Sequence, residues 1–229
     1  MNHLTFEAII FDLDGTLIDT ETADFKACKL LYDELGLTLS LEYWAASVVG
    51  VLDGYDKLFA ELVQTDHNGV TTAQLWQRLR ELLRVTNQDI GLMPGAGNLP
   101  LQLRAAGYLL GIATASDRQW AARWLGRFEL EPYFQVIATG DVVPRNKPAP
   151  DVYLYAADQL GVRPERCLVF EDSLPGVAAA KAAGMTVVAV PGPVTRSLDF
   201  SWADATIPNL QHVTPGWIQT LGRQVKPTL

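Results

Sequence analysis

The stretch Asp12-Leu13-Asp14-Gly15-Thr16 sets two carboxylates two residues apart at the end of an apolar run, with a glycine directly after them. Further along, Thr114-Ala115-Ser116 offers two hydroxyls, Lys147-Pro148 an ammonium group, and Glu171-Asp172-Ser173 two more acids and a hydroxyl. Carboxylates drawn from separate stretches can share a hard cation such as Mg2+, while a lysine and a hydroxyl hold phosphoryl oxygens. In that chemistry Asp12 is the nucleophile, and Asp14 protonates the leaving oxygen and then activates water. Gly15 permits the tight turn that this arrangement requires.

These residues meet only if the elements between them end at one edge, and the hydrophobic pattern says how. Residues 6–11 form a short apolar run closed by Asp12, which suits a buried strand whose carboxyl end faces solvent. After Met93-Pro94-Gly95 helix and strand alternate, the pattern of a parallel sheet covered on both faces. Strands are expected at 109–114, 134–139, 167–170 and 186–190, with a weak one near 205–207. Helices are expected near 117–126, 151–160 and 175–183. Ligands of such a sheet bind at the carboxyl ends of its strands, where each reactive stretch falls.

Residues 18–90 read differently, as helix without a convincing strand. Ala23, Ala27, Leu30, Leu31 and Leu35 recur at helical spacing before Gly36, and 40–49 reads as a further helix. Another opens with the capping pattern Thr71-x-x-Gln74 and carries Leu75, Leu79, Leu82 and Leu83 on one face. The expected fold is therefore α/β: a doubly wound parallel-sheet core of residues 1–17 and 92–229, with a small all-helical cap of residues 18–91 inserted after the first strand.

Composition narrows the partners. Hydrophobic residues make up 48% and charged residues 19% of the chain, enough apolar surface for one sizeable core and an accessory piece. The 18 basic and 26 acidic residues give a net charge of −8, which repels nucleic acid and anionic membrane surfaces. An acidic protein that handles a phosphorylated small molecule must reverse that field locally, with a metal ion, a lysine or backbone amides. Cys28 and Cys167 stand far apart and outside any Cys-x-x-Cys pair, so no disulfide framework is expected. The opening MNHLTFEAIIFDLDG lacks a basic n-region and its apolar run breaks at Asp12, giving the expectation of a cytoplasmic protein, and a monomer.

The segments FDLDGTLIDT, TAS at 114–116, KPAPD at 147–151 and FEDSLPGVAAAKAAG at 170–184 together resemble the haloacid dehalogenase superfamily, especially its β-phosphoglucomutase-like branch with a helical cap. The resemblance covers nearly the whole chain. It implies a Mg2+-dependent phosphatase that acts on a small phosphorylated metabolite, such as a sugar phosphate, through an aspartyl-phosphate on Asp12. By the same resemblance Asp14 is the general acid and base, and Asp12, the Asp14 backbone carbonyl and Asp172 hold the metal. Thr114, Ala115 and Lys147 bind the phosphoryl group. Glu171 is implied as an outer partner of the metal, direct or through water, and Ser116 and Ser173 as supporting groups. Cap closure about crossings at 17–19 and 91–95 would exclude water.

Two departures from the branch stand out. Asp24 takes a place where sugar-phosphate members often have histidine, and Asp53 stands near the position of a cap arginine in the mutases. An acid there opposes a second phosphate, which favours hydrolysis over the alternative of a phosphosugar mutase. Arg118 either contacts a distal anionic group or is a solvated helix residue. Two further alternatives stay open behind these: a dehalogenase, against which the acid at position 14 argues, and a non-catalytic binding module, against which the three intact acids argue. Taken singly the motifs are weak, since Asp-x-Asp-Gly is often a plain turn and Glu171-Asp172 could merely cap a helix. His3, His67 and His212 share no ligand spacing, Gly95-x-Gly97 does not continue to a dinucleotide fingerprint, and the six tryptophans read as packing residues.

Overall fold

The computed structural model describes residues 5–51, 53–64 and 69–224. Its sheet consists of β1 (Ala8–Phe11), β2 (Leu109–Ala113), β3 (Val136–Ala138), β4 (Cys167–Glu171), β5 (Thr186–Ala189) and β6 (Ala205–Thr206). The strands lie in the order β3-β2-β1-β4-β5-β6 with every neighbouring pair parallel, so the chain winds outward from β1 in both directions. β1 is central: Ala8 stands opposite both Leu109 and Cys167.

Between β1 and β2 the chain forms α1 (Thr20–Glu34), α2 (Leu41–Ser47), α3 (Gly54–Gln64) and α4 (Thr72–Thr86). The remaining helices are α5 (Leu99–Ala105), α6 (Arg118–Arg127), α7 (Asp151–Leu160), α8 (Leu174–Ala182) and α9 (Pro215–Gln224). Alternation along β1 assigns the layers. Ile9 and Phe11 enter one apolar core with Leu103, Trp124 and Ile218, whereas Ala8 and Ile10 enter the other with Tyr153, Ala156 and Val177. Burial on both faces is why the strand reads as an unbroken apolar run, and each large side chain so buried contributes roughly 1.5–3 kcal/mol.

The inserted helices have a core of their own, in which Leu31, Trp44, Phe59 and Leu79 are buried together. α4 opens on the expected capping box: Gln74 N–H donates to Thr71 Oγ1, and Thr71 N–H to Gln74 Oε1 at 2.9 Å. The two crossings between insert and sheet run side by side. Asp19 N–H donates to Gly91 O at 3.0 Å and Met93 N–H to Leu17 O at 2.9 Å, bracketing an antiparallel bridge between Ile18 and Leu92.

Some local expectations need correction. α3 lies within the stretch expected to be helical without being delimited there, whereas α5 and α9 were not expected, α5 having seven residues with Pro100 in its first turn and α9 opening on Pro215-Gly216. Leu30 is 44% exposed, and Cys28 takes its place on the buried face of α1. Trp202 is 76% exposed rather than packed. His3 and His67 lie outside the described residues; His212 is exposed and meets only Asn209 through Nδ1 among the contacts seen. Cys28 and Cys167 are buried free thiols. Among the described residues no helix is long and apolar enough to cross a membrane.

Candidate active site

Each reactive residue stands at or just beyond the carboxyl end of a strand. Asp12 continues β1, its N–H donating to Phe170 O at 3.0 Å, and Thr114 continues β2 with a bond to Ala138 O at 3.0 Å. Glu171 is the last residue of β4 and Asp172 the first beyond it. Lys147, from the loop between β3 and α7, reaches across: its ammonium donates to Asp12 Oδ1 at 2.5 Å and to Glu171 Oε1 at 2.7 Å. All five are buried.

Glu171 has its oxygens occupied. Oε1 accepts from Lys147 and from the Tyr153 hydroxyl at 3.0 Å, and Oε2 from the N–H and hydroxyl of Ser173 at 2.8 and 3.0 Å. Asp172 differs: Oδ1 accepts from the Thr16 hydroxyl at 3.1 Å, and Oδ2 is buried without a hydrogen-bond partner. Such an orphaned carboxylate oxygen is costly unless a cation meets it. Asp12, Glu171 and Asp172 each offer an oxygen within 4.8 Å of the others, a hard donor set of the kind Mg2+ takes. The backbone crowds that spot: a Cβ on Gly15 (φ +80°) would lie 2.0 Å from Asp172 Oδ2.

Asp14 turns its side chain elsewhere. Oδ1 accepts from the Thr20 hydroxyl at 3.0 Å and the Trp120 indole N–H at 2.8 Å; Oδ2 accepts from the hydroxyls of Ser116 at 2.7 Å and Thr114 at 3.3 Å. Four donors from three stretches therefore fix one carboxylate. Thr20 and Trp120 had no assigned part in the sequence, although both occupy the first turn of a helix that starts beyond a strand. Asp117, the N-cap of α6, accepts from Trp120 N–H at 2.8 Å and so aims that turn at the site.

The electrostatics follow from burial. Desolvation pushes Asp12 up to about 8, with Lys147 opposing and Glu171 and Asp14 adding to the rise. Asp172 is raised well above the carboxylate range by burial and then by Glu171 and Asp12. Burial alone would lower Lys147, but Asp12 and Glu171 outweigh it and hold the ammonium charged. Burial and the neighbouring acids thus oppose the ionised form of Asp12 while Lys147 favours it, and a divalent cation held beside Asp12 and Asp172 would favour it further.

These groups line one side of a cavity of about 250 Å³ whose other side comes from the insert, through Glu21 and Asp24 of α1, residues 48–51 and Tyr55 of α3. Asn146, also on the wall, donates to Ala115 O at 2.9 Å. Of the expected site residues, Asp12, Asp14, Thr114, Ala115, Ser116, Lys147 and Ser173 border the cavity, with Glu171 and Asp172 beneath it. Arg118 is exposed on α6 and outside the walls. Asp53 also stands outside them, paired with Lys57 at 2.9 Å, so it cannot be the group that opposes a second phosphate.

A family model described as haloacid dehalogenase-like hydrolase matches residues 6–184. The protein CbbY of Rhodobacter capsulatus is 36% identical over 220 residues, covering 90% of this chain and 95% of that protein. Hexitol phosphatase B of Escherichia coli (strain K12) is 30% identical over 210 residues, covering 90% and 94% respectively. Among solved structures, CbbY from Rhodobacter sphaeroides in complex with Xylulose-(1,5)bisphosphate superposes with a TM-score of 0.71 at 30% identity, covering 90% of this chain and 96% of that one.

Proposed function

The chain belongs to the haloacid dehalogenase-like hydrolases, and from that membership we propose that it is a Mg2+-dependent phosphatase of small phosphorylated carbohydrates or similar monoesters, working through an aspartyl-phosphate. One observation carries the reading: carboxylates of Asp12 and Asp172, remote in sequence, stand within 4.8 Å of each other beside the Lys147 ammonium. Named relatives that are phosphatases support it.

Asp12 attacks phosphorus, the bond from phosphorus to the leaving oxygen breaks, and Asp14 gives that oxygen its proton. Asp14, now a carboxylate, takes a proton from water as the water oxygen attacks the aspartyl-phosphate, which releases inorganic phosphate and restores Asp12. Lys147, Thr114 and the Ala115 backbone N–H hold the phosphoryl oxygens. Asp12 and Asp172, with the Asp14 carbonyl, would hold Mg2+, whose part is to neutralise phosphoryl charge; Glu171, whose oxygens are already occupied, orients Lys147 and Ser173. The insert serves as a cap over residues 12–16, hinged at the paired crossings.

Turnover of p-nitrophenyl phosphate tests this. Activity is expected with Mg2+, its loss with EDTA, and a fall of at least about 10³-fold for Asp12→Asn. An Asp12→Asn enzyme as fast as the parent removes the covalent mechanism.

A further inference from the structure

The phosphoryl machinery fills one end of the cavity, and the insert builds the other. There Glu21 and Asp24 face the space, with the Tyr55 hydroxyl donating to Asp24 Oδ2 at 3.0 Å. Lys147 is the one cation on the walls among the described residues, and it is already engaged by Asp12 and Glu171. The rest of the insert's wall, residues 48–51, is Val48, Val49, Gly50 and Val51, without charge. The end that receives the leaving group therefore offers carboxyl oxygens, and nothing to balance an anion.

We propose that Glu21 and Asp24 select the leaving group, so that the enzyme takes phosphomonoesters whose alcohol part carries hydrogen-bond donors, hydroxyl or ammonium, and no second anionic group. This rests on the hydrolase reading above and narrows it. A second phosphate or a carboxylate on the substrate would meet two acidic groups in a partly desolvated wall with no cation to balance its charge. Hydroxyl or ammonium donors find acceptors ready there. Burial pushes Asp24 up to about 7, with the Tyr55 bond opposing and Asp14 adding, and raises Glu21 well above its ordinary range, with Asp24 and Asp14 adding; an ammonium group in that space favours their ionised forms, and an anionic one opposes them further. Bisphosphates and phosphorylated sugar acids are the classes it rejects.

Three para-substituted phenyl phosphates test the assignment, sharing one ester and a two-carbon arm that ends in ammonium, hydroxyl or carboxylate. With the Mg2+-loaded enzyme, kcat/KM for the ammonium and hydroxyl compounds is expected to exceed that for the carboxylate by about 100-fold. Asp24→Asn and Glu21→Gln should each shrink that ratio by about tenfold. The ratio is taken within one variant, so loss of folded enzyme cancels. Rates within about threefold across the series for the parent, or a ratio that neither substitution changes, overturn the proposal. No turnover of any of the three overturns the hydrolase reading beneath it.

Discussion

Asp14 accepts hydrogen bonds from Thr20, Thr114, Ser116 and Trp120, and the indole among these donors is the one that sequence reasoning set aside as packing. A group that gives and takes a proton in successive steps must keep its geometry through both, and a ring N–H on a rigid side chain holds it better than a rotating hydroxyl. Removing one hydrogen bond to a charged acceptor costs roughly 1.5–3 kcal/mol. Trp120→Phe should therefore lower kcat by about tenfold or more with KM little changed, because the group acts after substrate is bound. Steady-state kinetics decides it: a change confined to KM makes Trp120 a wall of the cavity and no more. Asp14→Asn, by contrast, should leave a phosphoenzyme that forms poorly and decays slowly, read by acid-quench labelling.

At the scale of elements, the acids depend on two close approaches of backbone, at Gly15 beside Asp172 and at Gly176 beside Glu171. α8 starts directly behind Glu171, and a Cβ on Gly176 would lie 1.6 Å from Glu171 Oε1. Gly176→Ala must push the carboxylate off Lys147, Tyr153 and Ser173 or displace the helix, and should cost about 2 kcal/mol or more. Gly126 of α6 is the internal control, since a Cβ there meets nothing within 4 Å. Gly126→Ala should stabilise by about 0.5–1 kcal/mol through helix propensity. Urea unfolding of the pair is expected to give opposite signs, and equal effects would mean that helix propensity alone governs both sites. α1 joins the layers, because its first residue bonds Asp14 and its next turns carry Glu21 and Asp24 to the cavity.

Across the whole molecule, the buried acids couple stability to pH and to metal. Asp12 and Asp24 are raised mainly by burial, to about 8 and about 7, from the 3.8 of an unburied aspartate. Between the unfolded and folded values the native state binds more protons than the unfolded chain, so this contribution is full at low pH and is lost as pH rises through 7 and 8. In EDTA, Tm should fall between pH 5.5 and pH 8. Mg2+ competes with the proton on Asp12, so the Tm increment it confers should be larger at pH 8 than at pH 5.5. Thermal scans at both pH values, with and without Mg2+, check the sign; an increment greater at low pH would contradict the placement of the ion among these acids.

The order of motifs and the period of the hydrophobic residues determined a good deal by themselves. β1 and its acids, the alternation after residue 92, the helical stretch after Ile18 and the Thr71 capping box are all local, carried by residues a few positions apart. What the tertiary structure decided lies between stretches. It turned the Asp14 carboxylate toward Trp120, left one oxygen of Asp172 without a partner, and satisfied both oxygens of Glu171. It also gave the cavity's acidic end to Glu21 and Asp24 while leaving Asp53 to Lys57 at the surface. Hydrophobic spacing fixes which face of an element is buried, but the aim of a polar side chain depends on donors that arrive from elsewhere in the chain, and no local pattern encodes them.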